Sequence, residues 1–191
     1  MPGGNGPVEL VPLAHPGDRA FRALVRFPAG WERPGPGHYA VPEEFLVLAG
    51  ELSIGEVTWT AGGYAWIPAR RTRTATLSRT GCVAFAWFGG LPRWVPGSAA
   101  LPADGENEHF AHWRESPRRT LRDGALIREL RIGPEHATWI VEPGGDSARV
   151  LPVAGCESLD LDTFRWTAGT PATPDTPTRS PLLVRGTARP A

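Results

Sequence analysis

Apolar and polar positions along this chain follow short periods. Phe45 to Leu48 and Val83 to Phe88 are brief, continuous apolar runs, the pattern of strands buried on both faces. From Arg73 to Arg79 the pattern alternates, which places Arg73, Ala75 and Leu77 on one face and Thr74, Thr76 and Ser78 on the other. Turn residues punctuate these segments, among them Pro-Gly-Pro-Gly at 34–37 and a Pro/Gly-rich stretch from Pro92 to Asn107. One helical signal stands out, from Glu106 to Arg114. The prediction is an all-β protein.

The pattern also repeats. Leu48-Ala-Gly50-Glu-Leu and the Trp59-Thr-Ala-Gly62 that follows it reappear as Val153-Ala-Gly155 and Trp166-Thr-Ala-Gly169. The offset grows from 105 to 107 residues, a two-residue insertion in one hairpin. Upstream, Ala23 to Gly30 lies opposite Arg128 to Glu135. Two copies of one unit are therefore expected: residues 1–91, a connector at 92–107, and a second unit at 108–191. Opposite His38, Glu43 and Glu44 the second copy has Pro143, Ala148 and Arg149, so the site is expected in the first. The proline-rich end, Pro171 to Ser180, reads as edge or loop.

Composition narrows the classes. Of 191 residues, 41% are apolar and 21% charged, enough for a packed core, and 23 glycines with 21 prolines suit strands joined by turns. The net charge is zero and all 20 basic residues are arginine, with no basic run longer than two, so neither nucleic acid nor an anionic membrane is an expected partner. No stretch is long and apolar enough to span a membrane, and Met-Pro-Gly-Gly-Asn-Gly is not a signal sequence. The expected location is the cytoplasm, where Cys82 and Cys156 would stay as thiols. A small molecule is the expected partner, and a homodimer is compatible with the sequence.

The richest segment runs from Gly30 through Pro36, His38, Glu43 and Glu44 to Gly50. It resembles the first motif of the cupin superfamily, G-x5-H-x-H-x3–4-E-x6-G, with Pro36 at the first histidine. Gly62/Gly63 to Pro68 and Arg73 resemble the second motif, with Arg73 at the last metal-binding histidine. The resemblance implies a double-stranded β-helix barrel and two cupin-like units in one chain.

In metal-binding cupins three histidines and a glutamate hold a divalent ion. Here only His38 and Glu43 survive at those positions, so the resemblance implies no tightly held cofactor. Were a divalent metal bound, those two would be its ligands. Spacing to Gly50 favours Glu43 over Glu44 as the inward residue, and only one of the two can point inward.

Candidate catalytic residues are His38, Glu43, Glu44 and Arg73. His38 would be the general acid or base unless it is a rim residue, with the glutamate orienting it. Arg73 would pair with the buried carboxylate, bind an anionic or enolate-like substrate, or do both. Tyr64, Trp66, Trp31 and Arg33 are candidates for substrate binding, against the alternatives of core for the aromatic residues and solvated rim for Arg33, Arg70 and Arg71. Trp59 and Trp87 read as core or pocket. His109 and His112 have the spacing of helical metal ligands beside Glu106 and Glu108, with an exposed polar turn as the alternative. Glu135 and His136 read as structural.

The function expected is that of a cupin enzyme acting on a small, hydrophobic or aromatic molecule by acid/base chemistry, such as isomerisation, cyclisation or decarboxylation. A non-catalytic binding cupin and a metal-dependent dioxygenase are the alternatives.

Overall fold

A computed structural model describes residues 3–13, 19–99, 107–121, 124, 126–134, 136–143, 157–168 and 180–186. The described residues contain strands and turns and no helix, and they fall into two compact units, Met1–Phe110 and Ala111–Ala191.

The first unit is a barrel-like sandwich of antiparallel strands. They are β1 (Glu9–Pro12), β2 (Phe21–Phe27), β3 (Trp31–Arg33), β4 (Gly37–Tyr39), β5 (Glu43–Ile54), β6 (Val57–Thr60), β7 (Gly63–Ile67), β8 (Thr76–Ser78), β9 (Cys82–Phe88), β10 (Trp94–Pro96) and β11 (His109–His112). One sheet runs β1-β2-β9-β5-β7-β11, and β3, β8 and β6 are joined to the far half of β5. β5 is long enough, at 12 residues, to serve both layers. It does so by breaking register between Val47 and Ala49 and turning at Gly50 (φ 73°).

The two expected apolar runs lie in β5 and β9 and are buried on both faces. Phe45, Val47, Ala84, Ala86 and Phe88 face the barrel core with Ala23, Val25, Trp31 and Trp59, while Leu46, Phe85 and Trp87 are buried on the opposite face. Alternation therefore fixes what each neighbour does. Glu43 follows Phe45 and Val47 inward. Glu44 follows Leu46 outward, where the Tyr64 hydroxyl donates to its Oε1 at 2.8 Å.

Two expectations need correction. Between Arg73 and Arg79 the strand is shorter than the expected alternation, only Thr76–Ser78, and the face it buries is that of Thr76 and Ser78, with Leu77 half-buried. Ser78 is the reason, because its hydroxyl donates to the Glu51 carbonyl at 2.9 Å and satisfies a polar group inside. The expected helix over 106–114 has a strand in its described part, since β11 extends the sheet beside β7. On a strand, His109 and His112 point to opposite faces, so their spacing no longer makes a metal pair. The ring of His109 packs on Tyr64, and Phe110 packs on Trp59.

The second unit is a six-stranded antiparallel sheet in the order β12-β13-β14-β17-β15-β16: β12 (Arg118–Thr120), β13 (Leu126–Ile132), β14 (Ala137–Glu142), β15 (Glu157–Asp160), β16 (Trp166–Ala168) and β17 (Leu182–Gly186). Its core is Ile127, Trp139, Val141, Leu182 and Val184. The repeat is visible in one hairpin of each unit: Leu52 pairs with Trp59 across β5 and β6, and Leu159 with Trp166 across β15 and β16. Cys156, Ala148, Arg149, Glu135, Glu106 and residues 171–179 lie outside the described residues.

Cys82 is a free, buried thiol on β9, and burial pushes its pKa up to about 12 from 9.0. A raised folded value means the native state keeps a proton that the unfolded chain releases. Stability is then whole below about pH 9 and falls by about 1.4 kcal/mol per pH unit as pH climbs from there towards 12. Urea melts between pH 8 and 11 should show this decline, and Cys82→Ala should flatten it. An equal slope in that variant would assign the decline to other groups.

Candidate functional site

The inner face of the first unit holds a polar cluster in an aromatic setting. Arg73 Nη1 and Glu43 Oε2 form an ion pair with both residues buried, 6% and 8% exposed. The Arg73 guanidinium lies 4.7 Å over the Tyr39 ring. Arg33 is buried rather than at the rim. It stacks on Trp94 at 3.7 Å, with Trp31 and Tyr39 at 5.4 and 5.9 Å, and hydrogen-bonds to the Tyr39 side chain. Burial, and secondarily the Glu43 charge, raise the Tyr39 pKa above its usual 10.0, so the phenol stays protonated at neutral pH.

Local sequence explains the placement. β4 pairs with β10, setting Trp94 opposite Tyr39 and Val95 opposite His38, and Gly37 bridges to Arg73 through two backbone hydrogen bonds of 2.8 and 3.0 Å. Tyr39 thereby points into the core against Phe88 and Trp94. Gly37 shares that face, where an added Cβ would overlap the Trp94 indole and stand 2.8 Å from the Val95 carbonyl oxygen.

His38 falls on the other face, with Nδ1 3.3 Å from the Gly97 carbonyl, and the structure does not bring it to Glu43. This corrects the sequence register. The motif tolerates three or four residues before its glutamate, and the structure takes three. The positions that face Glu43 are then Gly37 and Tyr39, not Pro36 and His38. A one-residue slip exchanges the faces of a strand.

Tyr64 and Trp66 lie on the Glu44 side of β7, opposite the core residues Ala65 and Ile67, so they do not line the barrel. Trp31 does face the core, and its indole N–H donates to the Gly6 carbonyl at 3.0 Å. Sequence reasoning missed Tyr39 and Trp94. The period-2 link from Tyr39 through Val41 to Glu43 was the available signal.

At the barrel mouth a cleft of about 320 Å³ opens beside Arg73. Arg70 and Arg71 line it with Arg73, and its apolar wall includes Ile67, Trp59 and Phe110. Glu108 forks onto Arg71 with two contacts of 3.1 Å.

A divalent metal does not fit this donor set. The four motif positions are Gly37, Tyr39, Glu43 and Arg73, one without a side chain, one a protonated phenol and one a cation already on the carboxylate. Among the described residues no three of His, Cys, Asp and Glu gather to hold an ion.

No family model matches the sequence, and no curated protein matches it. Solved structures do match. A Nostoc punctiforme protein provisionally described as a dioxygenase superposes with a TM-score of 0.72 at 16% identity, over 97% of this chain and 74% of that one. Escherichia coli Ylba gives 0.58 at 13% identity, over 98% of this chain and 81% of that one. A Pseudomonas aeruginosa protein provisionally described as glyoxylate-induced gives 0.59 at 13%, over 95% and 80%. At these identities the likeness concerns the fold. Together with the motif glycines and Glu43, it identifies the architecture: the chain has the cupin fold.

Proposed function

We propose that the N-terminal barrel is a small-molecule site built around a fixed organic cation, the Arg73 guanidinium. The observation that carries this reading is that Arg73 is shared: its charge is anchored behind by Glu43 and it also forms part of the wall of the mouth cleft. A guanidinium held by a carboxylate is oriented before any ligand arrives, and a preorganised cation favours a reacting group on which negative charge develops. Isomerisation, cyclisation and decarboxylation are the reaction types that use such a charge. Tyr39, held neutral, adds a phenol to the same cluster.

A binding protein without turnover is the second reading. What favours it is that the Glu43 charge is engaged by Arg73, which leaves the cluster without a free base.

The test is a thermal-shift screen of small organic compounds on the wild type, followed by turnover assays on the hits. Arg73→Gln should lose the shifts. His38→Ala should keep them, losing a hydrogen bond to Gly97 worth about 0.5–1.5 kcal/mol and the packing of its ring. Loss of binding in His38→Ala with full retention in Arg73→Gln would overturn this assignment.

A further inference from the structure

Among the described residues, the charges around the mouth cleft do not cancel. Arg71 is forked by Glu108 and Arg73 is held by Glu43, whereas Arg70 has neither an ion pair nor a side-chain hydrogen bond among the described residues. Among the described residues, three arginines against two carboxylates leave one positive charge, and it sits on Arg70.

That residue is also held in an unusual backbone conformation. Its φ of 62° lies in the left-handed region, which a residue with a Cβ enters only under strain. The donation of its N–H to the Tyr39 carbonyl at 2.7 Å fixes it there, next to the polar cluster. The same cleft has an apolar wall in which Trp59 and Phe110 meet edge to face at 5.0 Å. Phe110 is 40% exposed and Val57 39%, more than large apolar side chains usually show, and both border the cleft.

Resting on the small-molecule reading above, we propose that the ligand of this cleft is a small amphipathic monoanion, an aryl or alkyl carboxylate. Arg70 anchors its charge, and its apolar body lies on Trp59 and Phe110. A single unbalanced cation matches one negative charge better than a neutral or doubly charged ligand. About 320 Å³ is at the small end of ligand pockets, which span roughly 300–1,000 Å³, so the body is of the size of one ring with a short chain. The carboxylate also lies within the field of Arg73, which places the charge of the ligand beside the fixed cation.

The experiment is titration of the intact protein with 3-phenylpropionate and its neutral amide at low ionic strength, read by calorimetry and tryptophan fluorescence. The acid should bind with Kd of about 1 mM or tighter and the amide roughly tenfold more weakly. Arg70→Gln should bring the acid to the level of the amide. Arg70→Gly should do the same while relieving the left-handed strain, which keeps loss of charge separate from loss of folding. Phe110→Ala should weaken both compounds.

Equal affinity for acid and amide, or unchanged acid binding in both Arg70 variants, overturns the anionic class while the cleft stands as a small-molecule site. Absence of saturable acid binding also overturns it, and the Arg73→Gln screen then decides the broader reading by itself.

Discussion

Arg73→Ala should lower stability by about 3–5 kcal/mol, because it strands the Glu43 carboxylate inside the barrel. In a unit of this size that amounts to a fall in melting temperature of more than about 10 °C. The paired replacement Glu43→Leu with Arg73→Met removes both charges and should be far less damaging than Arg73→Ala, since apolar groups of similar volume commonly replace a buried ion pair at little cost. Thermal melts of the single and double variants give the coupling directly. An Arg73→Ala protein that melts with the wild type would mean that the pair is solvated, and the fixed-cation reading would fall with it.

Gly50→Ala is the second large effect. Gly50 sits at φ 73°, and a Cβ built there runs into the backbone of Gly81, whose carbonyl carbon would be 2.9 Å away. The conformation alone costs an L-residue about 1–2 kcal/mol. The collision adds to that, since overpacking typically costs about 1–3 kcal/mol and the obstacle here is main chain rather than a flexible side chain. Gly30 is the internal control. It has a nearly identical φ of 75° and nothing within 4 Å of an added Cβ. Gly30→Ala should therefore show the conformational cost alone. Equal losses for the two alanine variants, measured by urea melts, would mean that β5 and β9 do not approach each other this closely at the turn.

Gly50 and the inward Glu43 are demanded by the course of β5 through two layers and by the charge of Arg73. Histidines at the facing positions are not demanded by the fold. Gly37, backed by Trp94, and Tyr39, backed by Phe88, fill that space with carbon instead.

What the sequence determined by itself was what local pattern can carry. Short apolar runs fixed β5 and β9, and turn residues with those runs fixed the all-β class. The Trp-Thr-Ala repeat marked a hairpin in each unit, and the distance to Gly50 marked Glu43 as the inward carboxylate. What only the tertiary structure decided was which face each neighbouring residue shows. Its choice of Tyr39 over His38 depends on pairing with β10, some 55 residues away in sequence, and on the bridge from Gly37 to Arg73. The strand at His109 likewise depends on a place beside β7, which outweighs a weak local preference for helix. In a period-2 structure a shift of one residue exchanges inside for outside, so the chemistry of the site rests on a register that distant strands impose.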